Sequence, residues 1–142
     1  MVHALEKLHA LLKPAGELID IHPTTEPASI GVRLRAREFG AGWINEIDDY
    51  VEYQWADEAL DRAVASGWFA LEKRATFEFV WHAASLAELR AYLAEEWRDA
   101  VIDDLTAMRI EDALKSPERD KELIVREKIG VARYRRSDSR SV

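Results

Sequence analysis

The chain has 142 residues, no cysteine and a formal net charge of −7 at pH 7. It can therefore form no disulfide and use no thiolate, and its acidic balance disfavours phosphate backbones, which bind mainly through cations. Its composition, 48% hydrophobic with charges in every region, predicts one globular domain over residues 1–134 and a disordered tail over 135–142. We expect a cytoplasmic protein that binds neither nucleic acid nor a membrane.

The first predicted elements are a helix and a strand joined by a short turn. Leucines recur at helical spacing from Val2 to Lys13, which predicts an amphipathic helix with one stripe facing a core. Pro14-Ala15-Gly16 ends this helix, and Glu17 to His22 has the composition of a strand. Pro23 to Pro27 predicts a loop.

A hairpin and a second helix are predicted next. Ser29 to Ala36 alternates apolar residues with glycine and arginine, as a half-buried strand does. Arg37 to Gly40 is the predicted turn, and Ala41 to Ile47 is the predicted returning strand. Asp48 or Asp49 is the expected N-cap of the helix, which we expect Gly67 to end.

The second half of the sequence predicts a strand, a helix and a strand. Trp68 to His82 has a period of two, which indicates one long bent strand or two short ones. Ser85-Leu86-Ala87-Glu88 has the form of a capping box, and the helix after it has an apolar stripe that extends to Leu114 with an expected kink. Glu122 to Tyr134 is the last predicted strand. We expect an α/β (α+β) fold with a single mixed, largely antiparallel sheet of about four to six strands packed with three helices.

One segment carries a resemblance to a known family. The pattern is Leu8-x-x-Leu11-Leu12-Lys13-Pro14-x-Gly16-x-Leu18-Ile19-x-Ile21. It resembles the segment that leads into strand five of class I S-adenosylmethionine-dependent methyltransferases. On this resemblance, Val2 to Tyr134 corresponds to helix D, strand five, an inserted hairpin, helix E, strand six, an inserted long helix and strand seven.

The resemblance implies a domain without its own cofactor. The family holds S-adenosylmethionine with a glycine-rich loop after strand one and an acidic residue that ends strand two, and neither element is present in this sequence. Gly40-Ala41-Gly42 has no preceding parallel strand and no following helix in register. We therefore expect no cofactor for the isolated chain, and a methyltransferase-like remnant that acts by binding or assembly.

The same resemblance bears on partners. In the family, strand five has strand four beside it, whereas the corresponding edge here would expose unpaired backbone groups. Either the hairpin from Ser29 to Ile47 covers this edge or a second chain does, and we expect a homodimer. As an alternative, a separate polypeptide supplies the missing half and restores methyl transfer.

Two histidines and one aspartate are candidate catalytic residues. Asp20 and His22 lie two positions apart on a predicted strand, so His22 could be a general base whose tautomer Asp20 fixes. Alternatively, both occupy the solvent side of the strand. His82 ends the aromatic strand, but the chain lacks the close histidine spacing of known zinc sites, and we predict no metal.

Four further residues are candidate ligand-binding residues. Trp43 and Trp81 could line a pocket for an apolar or aromatic ligand near His22 and His82, although such residues more often fill a core or an interface. Arg33 and Arg35 share a strand face and could hold a carboxylate or phosphate. Alternatively, these arginines form a solvated face or pair with acids such as Glu46.

Overall fold

The computed structural model describes residues 2–137, which form four helices and six strands. The elements in chain order are α1 (Val2–Leu11), β1 (Glu17–Pro23), β2 (Ala28–Leu34), β3 (Arg37–Glu46), α2 (Val51–Ala65), β4 (Phe69–Ala83), α3 (Leu86–Glu96), β5 (Ala100–Val101), α4 (Asp104–Leu114) and β6 (Lys121–Arg136). The strand order is β1-β6-β2-β3-β5, and β4 also pairs with β6. The strands form an antiparallel open sheet. The expected fold class is confirmed, with one more helix than predicted.

The described residues divide into two compact units. Unit 1 comprises residues 2–25, 50–77 and 129–137, and unit 2 comprises residues 26–49 and 78–128. Strands β4 and β6 contribute one part to each unit. The predicted tail lies partly within β6, which extends through Arg136, whereas residues 138–142 lie outside the described residues.

Unit 1 contains α1, α2 and β1 with the adjoining parts of β4 and β6. Its core consists of buried residues from these elements: Leu5, Ala59, Leu60, Ala63, Phe69, Ala132 and Tyr134. The predicted leucine stripe of α1 is only partly correct. Leu5 is buried and Leu12 packs against the core, but Leu8 and Leu11 are 41% and 81% exposed. Leu8 and Leu11 therefore lie outside the core of unit 1, although they follow the helical spacing of Leu5.

Strand β1 pairs antiparallel with the end of β6, from Glu17 opposite Arg135 to Pro23 opposite Ile129. The turn before it is tight: the amide of Gly16 donates to the carbonyl of Lys13 at 2.8 Å, and a Cβ at Gly16 would lie 2.8 Å from the same carbonyl oxygen. Glycine is therefore required at this position for steric reasons.

Unit 2 packs α3 and α4 on β2, β3 and the adjoining parts of β4 and β6. Its core includes residues that are fully shielded from solvent, namely Ile30, Val32, Ile44, Leu89, Ile110, Leu123 and Val125. Gly42 allows β3 to approach α4, because a Cβ there would lie 2.1 Å from the hydroxyl of the buried Thr106.

The predicted hairpin is present, but its turn was predicted in the wrong place. Strand β2 ends at Leu34, the turn consists of Arg35 and Ala36, and β3 already begins at Arg37. Arg35 has a φ of 56°, which lies in the left-handed region that glycine and asparagine adopt most readily in turns. No such residue marks the turn, so the sequence favoured the glycine at position 40 instead.

The long predicted helix is in fact two helices. The chain leaves helical geometry at Trp97, forms the two-residue strand β5 against β3, and starts α4 after Asp103. Asp103 caps α4 by accepting from the amide of Thr106 at 2.7 Å. The apolar stripe continues through the break, which is why periodicity alone concealed it. The predicted N-cap at Ser85 is confirmed, since its hydroxyl accepts from the amide of Glu88 at 3.1 Å, whereas the Glu88 carboxylate accepts from the amide of Ala84 at 2.6 Å and completes the motif one residue earlier than predicted.

The predicted N-cap of α2 was wrong as well. Asp48 and Asp49 lie in a turn, and the residue at the cap is Tyr50, with a φ of 62° and no side-chain cap bond. Gly67, with a φ of 74°, follows the helix end as expected. Of the two alternatives for the aromatic segment, the single strand β4 is the one observed.

Candidate functional site

Strand β1 places its polar residues on the half-buried side of unit 1. Asp20 and His22 are half-buried, whereas Ile19 and Ile21, which alternate with them, are 51% and 61% exposed. This arrangement is the reverse of the usual apolar-in alternation. The alternative that Asp20 and His22 occupy the solvent side is therefore wrong.

His22 lies between two carboxylates. Its Nδ1 is 2.7 Å from Oδ2 of Asp20, and its Nε2 is 3.4 Å from Oδ1 of Asp57, which α2 contributes. The His22 side chain is 18% exposed, and its ring stacks on Tyr53 with centroids 6.5 Å apart. Because both carboxylates can only accept, a ring nitrogen that carries a proton donates to the carboxylate beside it, and the shorter of the two contacts is that of Nδ1 with Asp20.

A cavity of about 130 Å³ lies beside His22 within unit 1. Arg74 and the buried Tyr134 also line it, and the Arg74 guanidinium donates to the tyrosine hydroxyl at 3.3 Å. This hydrogen bond and the nearby Asp61 carboxylate raise the pKa of Arg74, so the wall carries a permanent cation. A ligand in the cavity would meet an imidazole, two carboxylates and a guanidinium.

The cluster has the components for proton transfer. A carboxylate that orients the imidazole through Nδ1 is the usual support for a histidine general base acting at Nε2. The two carboxylates approach opposite ring nitrogens. Among residues 2–137, no group of three or more His, Asp or Glu is placed to hold a metal ion.

The other predicted site residues lie in unit 2 and have partners of their own. His82 is 53% exposed, and its Nδ1 is 3.2 Å from Oε1 of Glu122. The same Glu122 oxygen accepts from Arg33 at 2.8 Å, and Arg33 also binds Asp120. His22 and His82, the two histidines predicted as site residues, therefore belong to separate sets of contacts.

Arg35 and the tryptophans are also dispersed. Arg35 lies in the β2–β3 turn and pairs with Glu118 at 2.5 Å. Trp43 is 55% exposed beside a cavity of about 250 Å³, whereas Trp81 packs on Tyr92 with centroids 4.4 Å apart at a different cavity. The partners of Arg33 and Arg35 are acids, but Glu46, the acid named from the sequence, instead accepts from the Trp97 indole at 2.7 Å.

Sequence reasoning missed Asp57 and Arg74. Asp57 lies on α2 and Arg74 on β4, and both reach the His22 cavity only through the packing of unit 1. Neither residue has a local motif.

Comparison with protein-family models, curated proteins and solved structures gives no match to this chain. Within residues 2–137, every helix is too short or too polar to cross a membrane.

Proposed function

We propose that this chain is a methyltransferase-like domain without catalytic activity of its own, which acts by assembling into a homodimer through the outer edge of β1. One observation carries the proposal. Among the described residues β1 pairs only with β6, and the hairpin that could have covered its other edge pairs with β6 instead. We expect a cytoplasmic location, since a chain without cysteine needs no oxidising compartment.

The order of elements supports the methyltransferase-like part of the proposal. The chain runs through α1, β1, a hairpin, α2, β4, a helical insertion and β6. This order agrees with the correspondence drawn from the sequence, except that the insertion contains two helices and β5. The resemblance nevertheless depends mainly on the turn from Leu12 to Gly16.

The surface of β1 supports a second copy of the chain as the partner. An open strand edge presents unpaired N–H and C=O groups to another strand. An antiparallel pair of β1 strands centred on Ile21 would set the two Ile21 side chains together and Ile19 opposite Pro23. On the other face, each Asp20 would lie opposite His22 of the second copy, where a carboxylate and an imidazole can hydrogen-bond across neighbouring strands.

The mass of the protein in solution tests the homodimer. Sedimentation equilibrium over a concentration series should give twice the chain mass of 16.3 kDa. Ile21→Lys should convert the dimer to monomer, because two ammonium groups would meet at the two-fold axis. Ile21 is already 61% exposed in the single chain, so the fold should tolerate this change.

Met108→Lys is the matched control, because Met108 is 58% exposed on α4 and should leave the dimer intact. A wild-type chain that stays monomeric at every concentration would overturn the homodimer. Dissociation by both variants, or by neither, would overturn the assignment to β1.

Calorimetry with S-adenosylmethionine tests the absence of catalytic activity. We expect no heat of binding and no thermal shift, because neither cofactor-holding element of the family is found in this sequence. Binding would be detected, since a ligand that binds the native state must raise its stability. Micromolar binding by the isolated chain would contradict the proposal. A split methyltransferase is the alternative if the chain is monomeric and an adjacent reading frame encodes a strand-one glycine loop without its own second half.

A second candidate function, a small-molecule enzyme, is favoured by the 2.7 Å contact between Asp20 and His22 beside a cavity. A supported imidazole should accelerate hydrolysis of an activated ester such as p-nitrophenyl acetate. His22→Gln should abolish this activity, whereas His82→Gln should retain it because His82 lies in unit 2. Hydrolysis no faster than with free imidazole, or equal loss in both variants, would reject this function.

A further inference from the structure

Unit 2 contains a cavity whose wall is mainly aromatic. The cavity has a volume of about 220 Å³ and lies where β4 ends and α3 begins. Phe79, Trp81 and Tyr92 line it, and Phe79 and Tyr92 are 48% and 42% exposed. The rings of Trp81 and Tyr92 touch, with centroids 4.4 Å apart and planes inclined by 44°, so they form one continuous aromatic surface.

One carboxylate lines this cavity. Glu88 lines it, and one carboxylate oxygen, Oε2, accepts from the amide of Ala84 at 2.6 Å, which holds the side chain in place at the start of α3. Among residues 2–137, His82 is the one basic residue that lines the cavity, with no lysine or arginine beside it, and its Nδ1 already lies 3.2 Å from Glu122.

We propose that this cavity binds a small organic cation that carries a quaternary ammonium group. The faces of aromatic rings are negative and attract cations, most strongly when the cation gives up little hydration. A quaternary ammonium has no N–H to satisfy, so rings alone can surround it, and the Glu88 carboxylate supplies the counter-charge. An anion would be repelled by Glu88. A neutral apolar ligand could use the rings but would gain nothing from the carboxylate.

The size of the cavity agrees with such a ligand. Pockets for drug-sized molecules span about 300–1,000 Å³, so a cavity of about 220 Å³ suits a smaller compound. The net charge of −7 also raises the local concentration of cations around the chain. The proposal is independent of the β1 edge and of the His22 cavity.

Calorimetric titration of the full chain with choline, and separately with 3,3-dimethylbutan-1-ol, tests the proposal. The alcohol has the shape of choline with carbon in place of the charged nitrogen, so the pair isolates the contribution of charge. We expect choline to bind more tightly, by roughly 2- to 30-fold, the range that cation–π energies correspond to. Absence of choline binding, or equal affinity for the neutral alcohol, would overturn the proposal.

Two substitutions locate the binding. Tyr92→Leu should weaken choline binding several-fold while leaving binding of the neutral alcohol nearly unchanged, because leucine keeps an apolar surface but removes the ring face. Glu88→Gln should also weaken it, and it should reduce the dependence of choline affinity on salt. Glutamine retains an oxygen that can accept from the Ala84 amide, so the start of α3 is preserved.

Glu111→Gln is the matched control, because it removes one exposed charge from α4, outside the lining of this cavity. Its choline affinity should equal that of the wild type. If Glu88→Gln and Glu111→Gln have the same affinity, the carboxylate has no role at this site. If Tyr92→Leu binds choline as the wild type does and melts at the same temperature, the aromatic cavity is not the site.

Discussion

The two units differ in which strand face carries the charged residues. In unit 2 it is the face away from the helices, and in unit 1 it is the face of β1 beneath α2. In unit 2 the residues that face α3 and α4 are apolar, such as Val32 and Leu123, and the intervening Arg33 and Glu122 pair with each other. In unit 1 the side of β1 that faces α2 carries Asp20 and His22. Charges on an open face need only each other and water, whereas polar groups beneath a helix must be satisfied locally, as Asp20, His22 and Asp57 are by one another.

The largest effect on stability should come from removing a buried apolar side chain from the core of unit 2. Leu89 is fully buried, so Leu89→Ala should lower the free energy of unfolding by about 2–5 kcal/mol through lost burial and the cavity it leaves. Leu105→Ala, at a side chain 54% exposed on α4, should cost less than about 0.5 kcal/mol. Urea denaturation measures both, and equal costs would contradict the assigned core.

Close packing of β3 on α4 should give the next largest effect. Gly42→Ala should lower the free energy of unfolding by about 1–3 kcal/mol, because the new methyl group would overlap the buried Thr106. Gly40→Ala is the matched control two residues away, where nothing lies within 4 Å of the added Cβ. Thermal denaturation should separate the two variants, and similar melting temperatures would show that β3 does not approach α4 so closely.

The two carboxylates around His22 should differ in importance. Asp20 is 24% exposed at 2.7 Å, so Asp20→Ala should cost about 1 kcal/mol of stability. Asp57 is 52% exposed at 3.4 Å, and Asp57→Ala should cost less, as exposed ion pairs do. Nitrogen-15 NMR of neutral His22 should find the proton on Nδ1. A larger loss from Asp57→Ala, or a proton on Nε2, would contradict the described orientation.

The smallest effects concern two glutamates of unit 2 with opposite pH dependence. Burial, and then the Glu46 carboxylate, raise the pKa of Glu127, so its folded form holds a proton more tightly and stability falls as the pH rises through the folded pKa. Glu127→Gln should therefore raise the melting temperature at neutral pH and have no effect in acid.

Glu38 is the counterpart with the opposite sign. The hydrogen bond from Arg126 lowers the pKa of Glu38, so its stabilisation is present above the unfolded pKa and is lost as the pH falls through the folded pKa. Glu38→Gln should lower the melting temperature at neutral pH, with a difference that disappears in acid. Melting curves of Glu127→Gln and Glu38→Gln, recorded from acid to neutral pH, measure both changes in melting temperature. Changes of the same sign at neutral pH would contradict the opposite pKa shifts of the two glutamates.

Local chemistry predicted the elements whose signals lie within a few residues. The end of α1 shortly before Pro14, at Leu11 and not at the predicted Lys13, the cap at Ser85 and the period of two along β4 each depend on neighbouring residues alone. The errors arose where partners distant in sequence decided the outcome. Strand β5 forms only because Ala100 and Val101 meet β3, and this pairing divides a stripe that would otherwise suit one helix.

The candidate site divides in the same way. The sequence by itself determined the spacing of Asp20 and His22, since residues two apart on a strand share a face, and its lack of cysteine excluded disulfide and thiolate chemistry. Only the tertiary structure decided which face that was, and it brought Asp57, Tyr53 and Arg74 to the imidazole from α2 and β4. The physical reason is that burial of a strand face depends on what packs against it, and those contacts join residues far apart in the chain.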